Sequence, residues 1–246
     1  MDRMLYVAMA GAKETLRAQT VNNHNLANAS THGFKADLAA FQSRAVDGSG
    51  YASRVYTQSA DNGWKQDSGS LITTGRDLDL AVNGKGWFAV QGPDGKEAYT
   101  RAGDFQVDAT GQLVTAKGLP VMGDGGAISV PPYTSIFVAG DGSISLVGQG
   151  QTPQATSTIG RLKLVNPPAE QLEQAGENLF RMKDGSTAPA DAAVRIGSGV
   201  LETSNVNAAE AMVNMITLAR QFEMQVKAIR TAEENGAAAA QVMRLG

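Results

Sequence analysis

The most regular pattern of apolar and polar residues lies near the C-terminal end of the chain. A register of alternating three- and four-residue steps runs through Met212, Met215, Ala219, Phe222, Val226, Ile229, Glu233, Gly236, Ala240 and Met243. This spacing is the heptad pattern of a coiled-coil seam. Asn207 can cap such a helix, and Glu210 three residues later gives the capping-box arrangement. The pattern predicts a helix of about 35 residues, roughly 50 Å long.

A looser helical pattern occupies the N-terminal end, from about residue 4 to residue 28. Its apolar positions are Met4, Leu5, Ala8, Ala12 and Leu16, with a continuation to Leu26. All eight prolines lie between Pro93 and Pro189, so both ends are free of this helix breaker. Ala219 and Glu233 make the C-terminal seam thin, and a helix with a thin seam needs neighbours to be stable. We expect the two helices to pack as a coiled-coil-like pair.

The middle of the chain has the pattern of β-structure. Short β-prone runs are separated by Asp-Gly pairs that begin at Asp94, Asp124 and Asp141, and Asp-Gly between such runs is a strong hairpin signal. Runs spaced about 8–12 residues apart predict an antiparallel all-β domain. The stretch 45–75 is rich in Ser, Gly, Thr and Asp and predicts an extended linker. The expected fold class is α+β, with an N-terminal helix and its extension (1–44), the linker (45–75), the β domain (76–200) and the C-terminal helix (201–246).

The end of the first helix is crowded with asparagines, at positions 22, 23, 25 and 28. Asparagine is a mediocre helix former and is costly to bury without hydrogen bonds. One interpretation is that these amides pair with neighbouring copies in an assembly, because polar residues at seam positions specify register and partner. The other is that they are solvated and that Asn28 only helps the helix to end before Gly33. A second asparagine cluster, at positions 205 and 207, favours the assembly interpretation.

Composition narrows the range of functions. A net charge of −3 and a pI near 5.4 provide no basic surface for nucleic acid. The chain has no cysteine, and its two histidines have no carboxylates at a recognisable metal-binding spacing. Asn83-Gly84-Lys85-Gly86 lacks the third glycine and the following helix of a phosphate-binding loop, so it is interpreted as a turn. The sequence therefore predicts no enzyme activity, no cofactor and no metal.

The first residues, MDRMLYVAMAGAK, superficially resemble a secretory signal. However, Asp2 offsets the charge of Arg3, the apolar stretch spans only about nine residues, and the helical pattern continues beyond Lys13. We therefore expect a helix that is retained. No segment of the sequence approaches the roughly 20 apolar residues of a transmembrane helix.

Three stretches resemble motifs of the bacterial flagellar rod and hook proteins. Residues 25–35, NLANASTHGFK, are similar to the N-terminal motif of that family, and residues 201–207, LETSNVN, followed by residues 210–216, EAMVNMI, are similar to its C-terminal motif. Residues 80–88, LAVNGKGWF, and residues 99–101, YTR, resemble the motif of its β domain. The motifs occur in the family's order and span almost the whole chain, which is therefore identified as a member.

Length and a single β domain make the chain resemble the rod members rather than the much longer hook protein. Residues 160–165 and 220–225 are similar to the proximal rod proteins. Residues 77–80 and 203–207 fit the distal rod proteins equally well. The resemblance therefore favours a proximal rod protein and leaves a distal rod protein as the alternative.

The resemblance also implies what the protein does. It implies a structural subunit of the flagellar basal-body rod, which crosses the periplasm, with the β domain facing outward. The terminal helices would polymerise into a hollow drive shaft that transmits torque and passes exported subunits. The implied partners are copies of the chain, other rod proteins and the flagellar type III export apparatus, with export without a cleaved signal peptide. No direct membrane span and no nucleic acid are implied.

Together with the patterns, the resemblance predicts an assembly interface made of residues from both ends of the chain. These are Asn22, Asn25, Leu26, Asn28, Gly33, Phe34, Leu201, Glu202, Asn205, Val206, Asn207, Glu210, Met212, Met215, Ile216, Phe222, Val226 and Ile229. The rival hypothesis is a secreted β-rich binding module with helical ends that merely dimerise. Such a module should expose a cluster of aromatic residues, and the sequence offers only Trp64, Trp87 and a few tyrosines.

Overall fold

The computed structural model describes residues 2–39, 41–45, 55–59, 63–152, 155–176 and 178–244, with only the backbone described for 2–4, 41–45, 55–59 and 242–244. The chain divides into two compact units. The helical unit contains residues 1–29, 36–65 and 206–246, and the β unit contains residues 30–35 and 66–205. Helices at both ends and antiparallel strands between them confirm the α+β class.

The described part of the helical unit contains two long helices and four short strands. Its elements are α1 (Asp2–Ala27), β1 (Asp37–Leu38), β2 (Phe41–Ala45), β3 (Val55–Ser59), β4 (Gly63–Trp64) and α2 (Ala208–Arg244). Strand β1 pairs antiparallel with β4, and β2 pairs antiparallel with β3. Residues 45, 55–59 and 63–64 of the predicted linker therefore lie in paired strands, whereas its residues 46–54 and 60–62 lie outside the described residues.

Helix α2 begins where the sequence predicts. The side-chain oxygen of Asn207 accepts hydrogen bonds from the main-chain N–H groups of Ala209 (3.1 Å) and Glu210 (3.3 Å). These are two of the N–H groups that the first turn of a helix leaves without helical partners. Asn207 is therefore the N-cap of α2, and the predicted cap is confirmed.

The two helices pack side by side in opposite directions. The side-chain amide of Asn22 donates to the main-chain carbonyl of Ala211 (2.8 Å), and the side chain of Gln225 lies 3.0 Å from where a Cβ on Gly11 would stand. Residue 11 of α1 thus lies against residue 225 of α2, and residue 22 lies against residue 211, so the two helices are antiparallel. On α1 these contacts belong to a line of small residues that steps by three and four through Ala8, Gly11, Thr15, Ala18 and Asn22.

The matching line on α2 differs from the predicted seam at alternate positions. Buried or half-buried residues step by four and three through Ala211, Met215, Leu218, Phe222, Gln225, Ile229, Ala232, Gly236 and Ala239. Met212, Glu233 and Ala240 of the predicted seam are exposed instead, so that part of the register is wrong. Ala211 and Ala232, which directly precede Met212 and Glu233, are buried on this line instead.

Sixteen short strands and one 3₁₀ turn, Ala169–Gln171, are found among the described residues of the β unit. The strands are β5 (Leu71–Thr73), β6 (Leu80–Asn83), β7 (Trp87–Gln91), β8 (Glu97–Thr100), β9 (Phe105–Val107), β10 (Leu113–Thr115), β11 (Met122–Gly123), β12 (Gly126–Ala127), β13 (Tyr133–Val138), β14 (Ser143–Gly148), β15 (Thr156–Arg161), β16 (Leu164–Val165), β17 (Leu172–Gly176), β18 (Leu179–Met182), β19 (Arg195–Ser198) and β20 (Val200–Glu202).

All strand pairs described in the β unit are antiparallel, as the sequence predicts. A five-stranded sheet has the order β16-β7-β8-β18-β17, and a three-stranded sheet has the order β13-β14-β15. Four two-stranded pairs complete the unit: β9 with β10, β11 with β12, β6 with β19, and β5 with β20. The Asp-Gly pairs at 94–95 and 141–142 form the turns between β7 and β8 and between β13 and β14, with Gly95 and Gly142 at positive φ.

The core of the β unit is apolar and contains edge-to-face aromatic packing. The rings of Phe88 and Phe105 lie 5.1 Å apart at 79°, the edge-to-face geometry that aromatic pairs favour. Leu80, Val90 and Ile144 are fully buried in the same cluster. Residues 83–86 connect β6 to β7 and do not open a helix, so the turn interpretation is confirmed. Among the described residues, no helix is long and apolar enough to cross a bilayer.

Replacement of Ala18 by leucine should loosen the helical pair. Ala18 is buried on the line that faces α2, and extra methylene groups in a packed contact cost about 1–3 kcal/mol. Thr20→Leu is the matched control, because Thr20 is exposed on the same helix. Hydrogen exchange of α1 and α2 should accelerate in Ala18→Leu alone, and equal exchange in the two variants would contradict the small-residue seam.

Candidate assembly site

Asn25 ties the end of α1 to strand β1. Its side-chain N–H donates to the main-chain carbonyl of Asp37 (2.9 Å), and its side-chain oxygen accepts from the Asp37 N–H (2.8 Å). His24 Nδ1 lies 2.7 Å from Oδ2 of the same aspartate. An amide that satisfies both main-chain groups of one residue substitutes for a strand partner. The final turn of α1 is therefore fixed to the strand that follows it.

The neighbouring asparagines also have partners within the helical unit. Asn22 bonds to the first turn of α2, as described above, and the side chain of Asn28 donates to the main-chain carbonyl of His24 (2.9 Å), four residues earlier. Leu26 is half-buried. The sequence argument assigned these amides to neighbouring copies, whereas the single chain already gives Asn22, Asn25 and Asn28 hydrogen bonds. Their role at an interface stays a prediction.

Large apolar side chains of both helices lie on the outside of the helical unit. On α2, Met212, Val213, Ile216 and Met224 are 53%, 63%, 56% and 63% exposed. On α1, Tyr6, Met9 and Leu16 are 59%, 52% and 47% exposed. Most of these residues stand two positions from a residue on the line that faces the other helix. Two positions place a side chain about 200° around the helix from that residue. We call these seven residues the outer apolar stripe.

The remaining predicted residues of α2 are divided between its two sides. Met215, Phe222 and Ile229 lie on the line that faces α1, and Val226 is half-buried beside it. Glu210 is exposed in the first turn, next to the outer apolar stripe. The arrangement can bind other apolar helices, because water-exposed apolar area favours burial by about 25 cal/mol per Å².

In the β unit, the carboxylate of Glu202 is buried between two cations. Its Oε1 lies 2.7 Å from Lys35 Nζ, and its Oε2 lies 3.1 Å from Arg101 Nη1. The main-chain N–H of Gly69 also donates to Oε1 (3.0 Å). Glu202 and Lys35 are each only 1% exposed. We call Glu202, Lys35 and Arg101 the buried charge cluster.

Main-chain carbonyls and an aromatic ring complete the surroundings of the two cations. Arg101 donates to the carbonyls of Val82 and Gly84 and lies 5.6 Å from the ring centroid of Trp87. The Lys35 ammonium donates to the carbonyl of Asp67 (2.9 Å). Burial lowers the pKa of Lys35, and the hydrogen bond and charge of Glu202 oppose that shift. Burial likewise lowers the pKa of Arg101, with Glu202 again opposing it.

Several predicted interface residues surround this cluster inside the β unit. Phe34 and Leu201 are buried, the Gly33 N–H donates to the Glu202 carbonyl (2.8 Å), and the Asn205 N–H donates to the Phe34 carbonyl (3.2 Å). Gly33 has a φ of +64°, and a Cβ there would stand 2.2 Å from the carbonyl carbon of Arg101. These residues are covered by their own unit and fix its backbone. Val206, which begins the next segment of the helical unit, is half-buried.

Sequence reasoning did not identify the cations of the buried charge cluster. Lys35 and Arg101 belong to the stretches that carry the family resemblance, yet neither was predicted as a site residue. Burial is unusual for both types of side chain. Their positions in the sequence could have indicated that they are buried. Lys35 directly follows the apolar Phe34, and Arg101 directly follows the β-prone Tyr99-Thr100.

The described residues contain no group of three histidine, aspartate or glutamate side chains that could hold a metal ion. The two histidines have different carboxylate partners. His24 pairs with Asp37 in the helical unit, and His32 Nδ1 lies 3.7 Å from Asp104 Oδ2 in the β unit. The predicted residues thus provide exposed apolar surface on the helices and a fixed backbone in the β unit.

Comparison with known proteins gives matches at family level over most of the chain. The family described as "Flagellar hook protein FlgE/F/G D1 domain" matches residues 81–146, and "Flagellar basal body rod FlgEFG protein C-terminal" matches residues 198–242. The flagellar basal-body rod protein FlgF of Salmonella typhimurium is 43% identical, and that of Escherichia coli is 41% identical; both alignments cover 100% of each chain. FlgG of Buchnera aphidicola subsp. Acyrthosiphon pisum is 39% identical over 91% of this chain and 94% of its own.

Replacement of Glu202 by glutamine should destabilise the β unit by about 3–5 kcal/mol, because Lys35 and Arg101 would remain buried beside a neutral amide. The measurement is the denaturant midpoint followed by Trp87 fluorescence. Asp94→Asn is the matched control, since Asp94 pairs with Arg181 at the surface of the same unit and exposed pairs contribute little. A Glu202→Gln midpoint equal to that of Asp94→Asn would refute the structural role of the buried charge cluster.

Proposed function

The chain belongs to the flagellar basal-body rod protein family, and we propose that it is a structural subunit of the rod that assembles through its two terminal helices. The observation that carries the proposal is the outer apolar stripe. Although α2 packs on α1, the two helices leave Tyr6, Ile216 and Met224 exposed, and this apolar surface is available for other chains. Copies of this chain and other rod proteins are the proposed partners.

A place in the proximal part of the rod is the favoured assignment within the family. The two FlgF relatives align over 100% of this chain, at 43% and 41% identity. The FlgG relative of Buchnera, at 39% identity over 91% of the chain, supports a distal rod protein as the second candidate. The basal body is the proposed location in both cases.

The finer roles follow from assembly into a tube. The helical units would form the wall of a hollow drive shaft that transmits torque and leaves a passage for exported subunits. The chain itself would reach the rod through the flagellar type III export apparatus without a cleaved signal peptide. No catalytic role is proposed, because a subunit of this kind needs contact surface and stiffness rather than reactive groups.

Most of the predicted interface residues divide into three roles. Met212, Ile216 and Glu210 would contact other chains directly, because they are exposed beside one another on α2. Met215, Phe222, Val226 and Ile229 would hold α2 against α1 in a coiled-coil-like pair. Gly33, Phe34, Leu201, Glu202 and Asn205 would act indirectly by fixing the backbone of the β unit. The proposed divisions of the chain remain 1–44, 45–75, 76–200 and 201–246.

Electron microscopy of basal bodies tests this proposal. A flagellated host that lacks its own copy of the gene is complemented with this chain, and basal bodies are purified with and without it. Density for the chain in the rod, together with restored motility, is the expected result. Basal bodies with complete rods in the absence of the chain, or rods that lack it after complementation, would refute the assignment.

Truncation after Val226 should abolish incorporation into the rod. It removes Ile229 and Ala232 from the line that faces α1, and with them roughly half the length of α2. The thermal melt of the β unit should not change, because that unit contains no residue beyond 205. Lys227→Ala in the full-length chain is the control for the truncation site, since Lys227 is exposed. Normal swimming of the truncated strain would show that the end of α2 is dispensable.

Replacement of Asn25 by leucine should impair ordered assembly without affecting the β unit. Leucine has the higher helix propensity, so α1 alone should become more helical. The two main-chain groups of Asp37 would lose their partner, however, at about 1–3 kcal/mol for each group left unpaired. Asn23→Leu is the matched control, because Asn23 is exposed on the same turn.

The measurement for this pair is motility and basal-body yield, with the β-unit melt as the folding control. We expect Asn25→Leu to lower both readings while Asn23→Leu resembles the parent chain. Full motility of Asn25→Leu, with an unchanged melt, would show that the attachment of β1 to α1 does not matter for assembly.

A further inference from the structure

Of the methionines in the helical unit whose side chains the structure describes, three are more than half exposed. Met9, Met212 and Met224 are 52%, 53% and 63% exposed and belong to the outer apolar stripe. By contrast, Met122, Met182 and Met215 are half-buried. Since the chain has no cysteine, thioethers are the side chains most readily oxidised by peroxide. Among the methionines whose side chains are described, oxidant would therefore act first on Met9, Met212 and Met224, which belong to the proposed interface.

We propose that Met9, Met212 and Met224 form an oxidation-sensitive modification site, at which sulfoxide formation in the unassembled chain blocks its entry into the rod. This inference rests on the proposed function. In the reaction, a sulfur lone pair attacks one oxygen of hydrogen peroxide and the O–O bond breaks. The sulfur is oxidised by two electrons to the sulfoxide, and peroxide is reduced to water after proton transfer to the leaving hydroxide.

The change at the sulfur is one that an apolar contact tolerates poorly. A sulfoxide turns a flexible apolar side chain into a polar one with a strong acceptor oxygen. Buried against Val213 or Ile216 of another copy, that oxygen would have no donor, and an unpaired buried acceptor disfavours association. Methionine sulfoxide reductases reverse the change, so the block is reversible before assembly. After assembly, the same contacts would cover the thioethers.

The test compares sulfoxide at each position inside and outside the rod. Cells that lack methionine sulfoxide reductases and carry a conditional block of flagellar export receive a short peroxide pulse, which catalase ends. Export is then restored, so that rods form only from the oxidised pool. Mass spectrometry measures the sulfoxide fraction at each methionine in purified rods and in the unassembled chain.

We expect sulfoxide at Met9, Met212 and Met224 to be depleted about tenfold in rods relative to the pool, because it excludes the chain from assembly. Sulfoxide at Met122 and Met182, which lie in the β unit, should have the same fraction in both samples. Restored reductase activity before export should return the rod yield to that of untreated cells. Equal fractions at all positions would overturn the inference.

Two variants make the test independent of peroxide. Met212→Gln with Met224→Gln imitates the polarity of the sulfoxide and should lower basal-body yield about tenfold, whereas Met122→Gln with Met182→Gln should not. Normal yield of the first pair would also overturn the inference. A failure of the proposed function can be distinguished from a failure of this inference. If the proposed function were wrong, even the unoxidised parent chain would be absent from the rods.

Discussion

The carboxylate of Glu202 holds two cations where water cannot reach them, and the connections of the β unit depend on that contact. Three segments converge on it, residues 33–35, 67–69 and 200–205, and each lies where the chain passes between the β unit and the helical unit. A buried ion pair contributes little net stability, but loss of one partner is severe. The cluster therefore works mainly as a positional constraint that fixes where the chain leaves the β unit.

The helical unit follows the usual distribution of side chains in a helix pair only in part, because large apolar residues lie on both sides of α2. Amphipathic helices normally turn their large apolar residues toward each other and leave small or polar ones outside. Here Ala18 and Ala211 are buried, and Ile216 and Met224 are exposed. Since the hydrophobic contribution scales with buried apolar area, a single chain realises only part of the stabilisation that its helices could provide. Such a distribution suits a subunit that other chains complete.

The sequence was sufficient for elements that depend on local rules. The cap at Asn207, the Asp-Gly turns at 94 and 141, and the antiparallel hairpins all follow from the residues that form them. Pairings between distant residues could not be obtained in this way. The bond from Asn22 to Ala211 joins positions 189 apart, and the contact between Lys35 and Glu202 joins positions 167 apart.

The seam of α2 shows a third kind of limit. Hydrophobicity ranks Met212 above Ala211, but Ala211 is the residue that faces α1, where its carbonyl accepts the bond from Asn22. No pattern within α2 alone contains this information. The asparagines are a similar case. The sequence indicated contacts between chains for them, because the residues that they bond within the chain cannot be identified from the pattern around them.

The opposite directions of the two helices have a practical consequence for labelling. Gly11 lies against Gln225, so α2 continues about ten residues, or roughly 15 Å, past the beginning of α1. The beginning of α1 and the end of α2 therefore lie at the same end of the helical pair. A fluorescent or affinity tag fused next to either of these helix ends would occupy the same region. Moving the tag from one terminus to the other would therefore not remove its interference with assembly. The turn at Asp141-Gly142, which joins two strands of the β unit, offers a site for a short epitope far along the chain from both helices.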